Sequence, residues 1–239
     1  MGLSVIIPSR DASNLVPCVQ AIWAQECTFD LRVIVVDDGA KVDAQHVLTR
    51  VTWVDGIKPF CFSRNVNLGI LAAGNDDVII LNDDAVLKSP NGFTRLHQLA
   101  TARKEFGVLS AVTNSVGNHE QMRLVGTSAI RELTHTACFI CVLIRREVID
   151  LVGLLDEEFR PAYFEDDDYC TRCVKAGFKL GAWDGCFVDH LALKSTGRSG
   201  RDTSEEMFRS LVVYERKHGT HPRVPLEWRR RMQAMGIGA

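Results

Sequence analysis

Apolar residues fall into short blocks separated by polar breaks, and through residue 112 the block type alternates. Residues 3–8 form a compact apolar run that Ser9, Arg10, Asp11, Ala12 and Ser13 interrupt. Over 14–26 the apolar positions are Leu15, Val19, Ile22 and Trp23, the spacing of one helix face. Residues 31–36 are a second, β-branched run that stops at Asp37, Asp38 and Gly39, and 51–54 offer a third strand. Ser63 is an N-cap candidate for a helix reaching Ala73, with Gly74 as its stop. A fourth strand over 78–81 ends in Asn82, Asp83 and Asp84; a helix over 93–106 and a fifth strand over 108–112 follow.

Strand alternating with helix predicts an α/β fold with a mostly parallel central sheet flanked by helices. Ligands of such sheets gather beyond the carboxyl ends of the strands. Three of those ends carry Ser9-Arg10-Asp11, Asp37-Asp38 and Asp83-Asp84. Turns favour Asp and Asn in any case, which accounts for one such end more easily than for three.

Beyond residue 113 the texture changes. Residues 113–134 are polar and irregular, which predicts a long loop or short hairpin. An apolar run over 137–144 reads as a buried strand, 145–152 as a short helix, and 165–176 as a helix opened by acids and stopped by Gly177. A last strand is expected over 179–189. From Lys194 the chain is a basic and polar loop, a helix near 204–218, and a tail in which Trp228 stands beside Arg229, Arg230 and Arg231.

Composition narrows the function classes. The 239 residues are 46% hydrophobic and 24% charged, enough for a packed core and unlike a disordered or fibrous chain. The net charge of −2 argues against a protein gripping a nucleic-acid backbone along its length. With no membrane-length apolar run and no basic leader followed by a long apolar stretch, a cytoplasmic location is expected. The eight cysteines are then expected as thiols. Cys138/Cys141 and Cys170/Cys173 have zinc-like spacing, but the first pair lies in the apolar run, where positions three apart face opposite ways, so buried thiols are the better reading. No Gly-x-Gly-x-x-Gly or phosphate-loop motif is present, which disfavours dinucleotide redox chemistry and P-loop hydrolysis.

Two acidic groups carry candidate chemistry. Asn82-Asp83-Asp84 at a strand end suits a magnesium or manganese ion, which takes carboxylate, phosphate and water oxygens; a solvated turn is the plain alternative. Glu165, Asp166, Asp167 and Asp168 repel one another unless something compensates. On a helix Arg172 lies one turn beyond Asp168, so one acid can pair while another serves as a general base. An acidic first turn that merely favours the helix dipole is the alternative. His190 becomes a metal candidate if its strand ends beside Asp84.

Taken in order, these stretches resemble the family 2 glycosyltransferases of the GT-A fold. The resemblance runs over 2–197 and rests on SVIIPS at 4–9, VIVVDDG at 33–39, FSRNVNLGI at 62–70 and ILNDDA at 80–85. It continues through CVLIRR at 141–146, VGLLDEEF at 152–159, FEDDDYCTR at 164–172, and His190 with Ser195. It implies a single nucleotide-diphospho-sugar transferase-like domain over 1–200, with a nucleotide-binding half (1–113), an acceptor and catalytic half (114–200), and a helical, basic tail (201–239). Carried over by position, Pro8, Ser9, Arg10, Asp38, Arg64, Asn65 and Asp83 would bind the nucleotide-sugar donor. Asp84 and His190 would hold a divalent metal, Mn2+ or Mg2+. Asp166 would be the base that deprotonates the acceptor hydroxyl, and Glu165 would orient the acceptor. The reaction implied is metal-dependent, inverting glycosyl transfer to a carbohydrate, lipid-linked, nucleic-acid or small-molecule acceptor.

The chain departs from the family pattern at three places. Asn82 replaces the first acid of Asp-x-Asp, Thr136-Ala137 replace a Gly-rich turn, and Arg10 stands where an aromatic is common. A sugar nucleotidyltransferase is the alternative enzyme, disfavoured because no glycine follows the first strand; a non-catalytic nucleotide-sugar-binding module is the alternative outside catalysis. For the tail, weak contact with an anionic membrane or a nucleic acid competes with a solvated basic helix end.

Overall fold

The computed structural model describes residues 2–25, 30–124, 127–190 and 202–237. In chain order the first half is β1 (Leu3–Ser9), α1 (Ala12–Trp23), β2 (Leu31–Asp37), α2 (Lys41–Ala44), β3 (Thr52–Asp55), α3 (Phe62–Ala73), β4 (Asp77–Leu81), β5 (Ala85–Leu87), α4 (Gly92–Ala102) and β6 (Phe106–Thr113). The second half is β7 (Ile130–Glu132), β8 (Cys141–Ile144), α5 (Arg146–Val152), α6 (Glu165–Lys175), β9 (Lys179–His190), α7 (Ser204–His218) and α8 (Leu226–Ala234).

The strands form one sheet in the order β3-β2-β1-β4-β8-β6-β9-β5, with β7 paired to β9. The expected parallel pairing holds through β3, β2, β1 and β4. Beyond β4 the sheet is mixed: β8 inserts antiparallel to both β4 and β6, and β6 then pairs parallel with β9. Side chains of successive strand residues serve opposite faces. Val5, Ile7, Val33, Val35, Ile79 and Leu81 pack with α1 and α4 on one face. Ile6, Ile34, Val36 and Ile80 pack with α3, α5 and α6 on the other. Helix α3 lies so close to β1 that a Cβ on Gly69 would fall 2.2 Å from Ile6 Cγ2, so no larger residue fits there without a shift.

Helix α4 ends at Ala102, short of the expected 106, where β6 already begins, and three further boundaries move for local reasons. Helix α1 starts at Ala12 because the Asp11 carboxylate caps it, accepting from Ser13 N at 2.8 Å; its expected end at Glu26 lies outside the described residues. Ser63 is not the cap of α3 but is fully buried within its first turn. The cap position is Cys61, and the Phe62 N–H donates to Pro161 O at 2.9 Å, so a distant segment supplies the acceptor. Residues 137–140 turn before β8 instead of extending it, with Ile140 N donating to Cys138 O and Cys138 N to the Gln121 side chain.

The tail is a packed layer. Phe208, Leu211 and Tyr214 of α7 and Met232 of α8 join Phe159 and Phe164 in a third apolar cluster, and Trp228 meets Phe208 edge-on at 6.1 Å. Arg229 pairs with Glu215 at 2.6 Å and Arg231 with Asp202 at 3.0 Å, so two of the three consecutive arginines face internal acids. Among the described residues no helix is long and apolar enough to cross a membrane.

Candidate active site

A cavity of about 1310 Å³ opens at the edge of the sheet where β1 and β4 end. It is lined by Pro8, Ser9, Arg10, Arg64, Asp83, Asp84, Glu165 and Asp166, eight of the residues singled out in the sequence. The parallel registers place Ser9 and Asp83 at the same edge, while α6 brings the second acidic group from the far half of the chain.

At the sheet end, Ser9 Oγ donates to Asp83 Oδ2 at 2.6 Å. Burial raises the Asp83 carboxyl, the Ser9 hydrogen bond offsets part of that, and the charges of Asp84 and Asp11 add to it, leaving it at about 6. Asp84 is buried, and its Oδ1 stands 3.3 Å from His190 Nε2, so β9 does end beside it. His190 Nδ1 lies 2.7 Å from Ser115 O, a carbonyl that can only accept, so Nδ1 carries the proton of that bond. Burial alone would lower the His190 pKa, but the Asp84 and Ser115 hydrogen bonds hold it above its ordinary value.

The donor set fits a divalent cation. A carboxylate oxygen faces an imidazole Nε2 whose ring is oriented by a carbonyl on the other nitrogen, the usual outer support of a metal-binding histidine. Among the described residues no group of three or more His, Cys, Asp or Glu is arranged to hold a metal by itself. Such a site would be completed by phosphate and water oxygens, as magnesium and manganese sites commonly are.

Three expected residues do not line the cavity. His190 stands 3.3 Å from Asp84, which does line it. Asp38 is held by Lys58, whose Nζ donates to both the Asp38 carboxylate and its carbonyl at 2.7 Å. Asn65 has no exposed surface, and its side-chain amide makes no hydrogen bond among the described residues. It sits buried in the first turn of α3, outside the cavity lining. Arg64 does line the cavity, with its Nε donating to Glu157 Oε2 at 3.0 Å. Ser195 lies outside the described residues.

At the α6 end the four acids divide their work. Asp168 is fully engaged, by Arg172 Nε at 2.8 Å and His218 Nε2 at 2.7 Å. Asp167 Oδ1 meets His221 Nε2 at 3.1 Å. Asp166 accepts from the Phe139 N–H at 3.4 Å and the Asp167 N–H at 2.9 Å, with no cationic hydrogen-bond partner among the described residues. Burial, then the charges of Asp167 and Glu165, push the Asp166 carboxyl well above its ordinary value. Burial likewise lifts Glu165 to about 7. The pairing of Asp168 with Arg172 is the one the helical spacing predicted.

The third wall has almost no signature in the sequence. Met207, His221, Arg223 and Trp228, all beyond residue 200, line the same cavity. The only sequence signal is a pair of histidines, His218 and His221, in a stretch otherwise rich in arginine and complementary to four acids elsewhere.

Solved structures share this architecture. A mannosyltransferase from Pyrobaculum calidifontis, solved with GDP-Man and Mn2+, superposes with a TM-score of 0.67 at 17% identity, covering 98% of this chain and 68% of that one. GalNAc-T7, solved with UDP, GalNAc and Mn2+, superposes with a TM-score of 0.70 at 13% identity, covering 99% of this chain and 55% of that one. The fold is GT-A. No family model matches the chain. One curated relative, the uncharacterized protein y4gI of Sinorhizobium fredii, is 26% identical over 255 residues, covering 92% of this chain. The chain spans 28% of the length of that relative. Within the GT-A frame the cavity sits at the carboxyl edge of the parallel strands, where open α/β sheets bind their ligands.

Proposed function

We propose that the chain is a metal-dependent, inverting glycosyltransferase of the family 2 type, moving a sugar from a nucleoside-diphosphate donor to an acceptor hydroxyl. The observation that carries this reading is a single cavity lined both by Asp83 and Asp84 of the β4 end and by Asp166 of α6. Its support is the GT-A fold and the nucleotides, sugars and Mn2+ in the two similar structures.

Ser9, Arg10 and Arg64 face the donor from β1 and α3, with Asp83 held in place by Ser9. Asp84 and His190 would hold a manganese or magnesium ion, which when bound neutralises charge on the departing diphosphate. The acceptor oxygen attacks the anomeric carbon as the bond from that carbon to the diphosphate oxygen breaks. The electron pair leaves with the diphosphate, and the acceptor proton goes to Asp166. An attacking group and a leaving group on opposite sides of the sugar invert its anomeric centre. The raised Asp166 carboxyl is a stronger base than an ordinary aspartate once it is ionised.

The test is a panel of nucleotide-sugars incubated with the purified chain and Mn2+, with release of nucleoside diphosphate and the anomeric configuration of the product read by NMR. Release from one donor with inverted product supports the reading. Retained configuration removes the inverting assignment, and no release from any donor, with or without added saccharides, removes transfer.

A further inference from the structure

The side of the cavity around α6 is built from two parts of the chain that the sequence separates widely. Residues 163–167 form the floor, and the segment from α7 through the start of α8 forms a wall over it. That wall is fixed to the acidic helix. His218 bonds to Asp168 at 2.7 Å, His221 to Asp167 at 3.1 Å, and the Tyr214 hydroxyl to Thr171 Oγ1 at 2.9 Å. His221 Nδ1 accepts from the Arg223 N–H at 3.2 Å, which leaves the Nε2 proton to donate to Asp167. The wall therefore stands at a set position relative to the proposed base.

The chemistry of this end is selective. Tyr163, Phe164 and Trp228 offer ring surface, while Glu165, Asp166 and Asp167 offer carboxylate oxygens that accept hydrogen bonds. Two lining side chains also have buried oxygens without a hydrogen-bond partner among the described residues, Glu165 Oε2 and Thr136 Oγ1. Buried polar atoms left unpaired cost stability, and a ligand with donors relieves that cost. Four acids, Glu165, Asp166, Asp167 and Glu206, set against Arg160 and Arg223, the latter already donating to Asn118 Oδ1 at 3.1 Å, make this end unfavourable for a phosphate. Aromatic faces beside hydroxyl-accepting carboxylates match a ring with an apolar C–H face and a rim of hydroxyls. The cavity, at about 1310 Å³, is larger than one small-ligand site needs, which leaves room for two sugars and a nucleotide.

We infer that the C-terminal arm is the acceptor subsite and that the acceptor is a neutral saccharide, its ring stacked on Trp228 and its hydroxyls bonded to Glu165 and Thr136. This assignment rests on the transfer reading for the word acceptor, but the saccharide site itself is separately measurable. The full chain labelled with 5-fluorotryptophan carries four tryptophans, and Trp228→Phe identifies the Trp228 resonance. Methyl glycosides of glucose, galactose, mannose and N-acetylglucosamine are titrated with and without GDP or UDP and Mn2+, with glucose 6-phosphate and a single-stranded oligonucleotide as anionic probes.

At least one neutral glycoside moves the Trp228 resonance while Trp23, Trp53 and Trp183 stay unmoved by it. Trp228→Leu, which keeps an apolar contact with Phe208, weakens that binding roughly tenfold. The anionic probes leave Trp228 unmoved. A Trp228 resonance that ignores every neutral glycoside, or that responds to the phosphate or the oligonucleotide instead, overturns the subsite. The two readings separate cleanly. Glycoside binding without any nucleotide binding keeps the subsite and removes transfer, and nucleotide binding with an inert Trp228 does the reverse.

Discussion

Two acidic groups from different elements line the cavity, and they are held in different ways. Asp83 and Asp84 stand at the end of β4, and their partners, Ser9 and His190, are the last residues of β1 and β9. Sheet register alone brings them together. The acids of α6 are held partly from within their own helix, by Arg172, and partly by His218 and His221 from the C-terminal arm. The first arrangement leaves one carboxylate facing an imidazole, as a cation site requires. The second gives Asp167 and Asp168 hydrogen-bond partners and leaves Asp166, among the described residues, without a cationic one, as a base requires. Clusters of like charge thus serve different ends according to the partners each member is given.

The sharpest way to break this contrast is Asp166→Asn. It is expected to lower the rate of transfer by about 10²–10⁴ while leaving nucleoside-diphosphate affinity within about twofold, measured by steady-state kinetics and calorimetry. A parallel loss of nucleotide binding would mean that the two ends are not separate in function.

Glu165→Gln sharpens the contrast through stability. The folded-state pKa of Glu165 is raised from 4.5 to about 7, so the wild-type side chain is most favourable below its unfolded value and loses that stability as pH rises through about 7. The variant is therefore expected to match wild type at pH 4 and to exceed it by roughly 2–3 kcal/mol at pH 8, in urea melts of the ligand-free chain. A variant less stable at pH 8 would show that the Glu165 carboxylate is stabilised in ways its burial does not reveal.

A smaller effect is expected from His218→Ala. It removes the arm's bond to Asp168 but leaves Arg172 in place, costing about 1–2 kcal/mol in the same melts at pH 7. No loss would mean that the apolar cluster of Phe208, Leu211, Tyr214 and Met232, with the bonds of His221 and Tyr214, holds the arm without His218.

The same contrast explains what is legible in the sequence. The continuous β-branched runs of β1, β2 and β4 reflect strands covered on both faces, and the polar residues that end them pick out Ser9, Asp83 and Asp84 from the residue pattern alone. The i, i+4 pair of Asp168 and Arg172 is legible for the same reason: it depends on local geometry only. The antiparallel insertion of β8 and the wall formed by His221, Arg223 and Trp228 are not legible, because both depend on contacts across large sequence separations. The burial of Asn65 is likewise not legible, because it depends on how α3 packs in the fold and not on the local stretch.

The central claim, a cation-assisted nucleotide site at the end of β4, is tested most directly by calorimetric titration of the full chain with GDP and UDP, with and without Mn2+, beside Asp84→Ala. The account predicts that one nucleotide binds in a Mn2+-dependent way and that Asp84→Ala weakens this binding at least about tenfold. Binding that ignores both Mn2+ and the loss of Asp84, or no binding of either nucleotide, would contradict it.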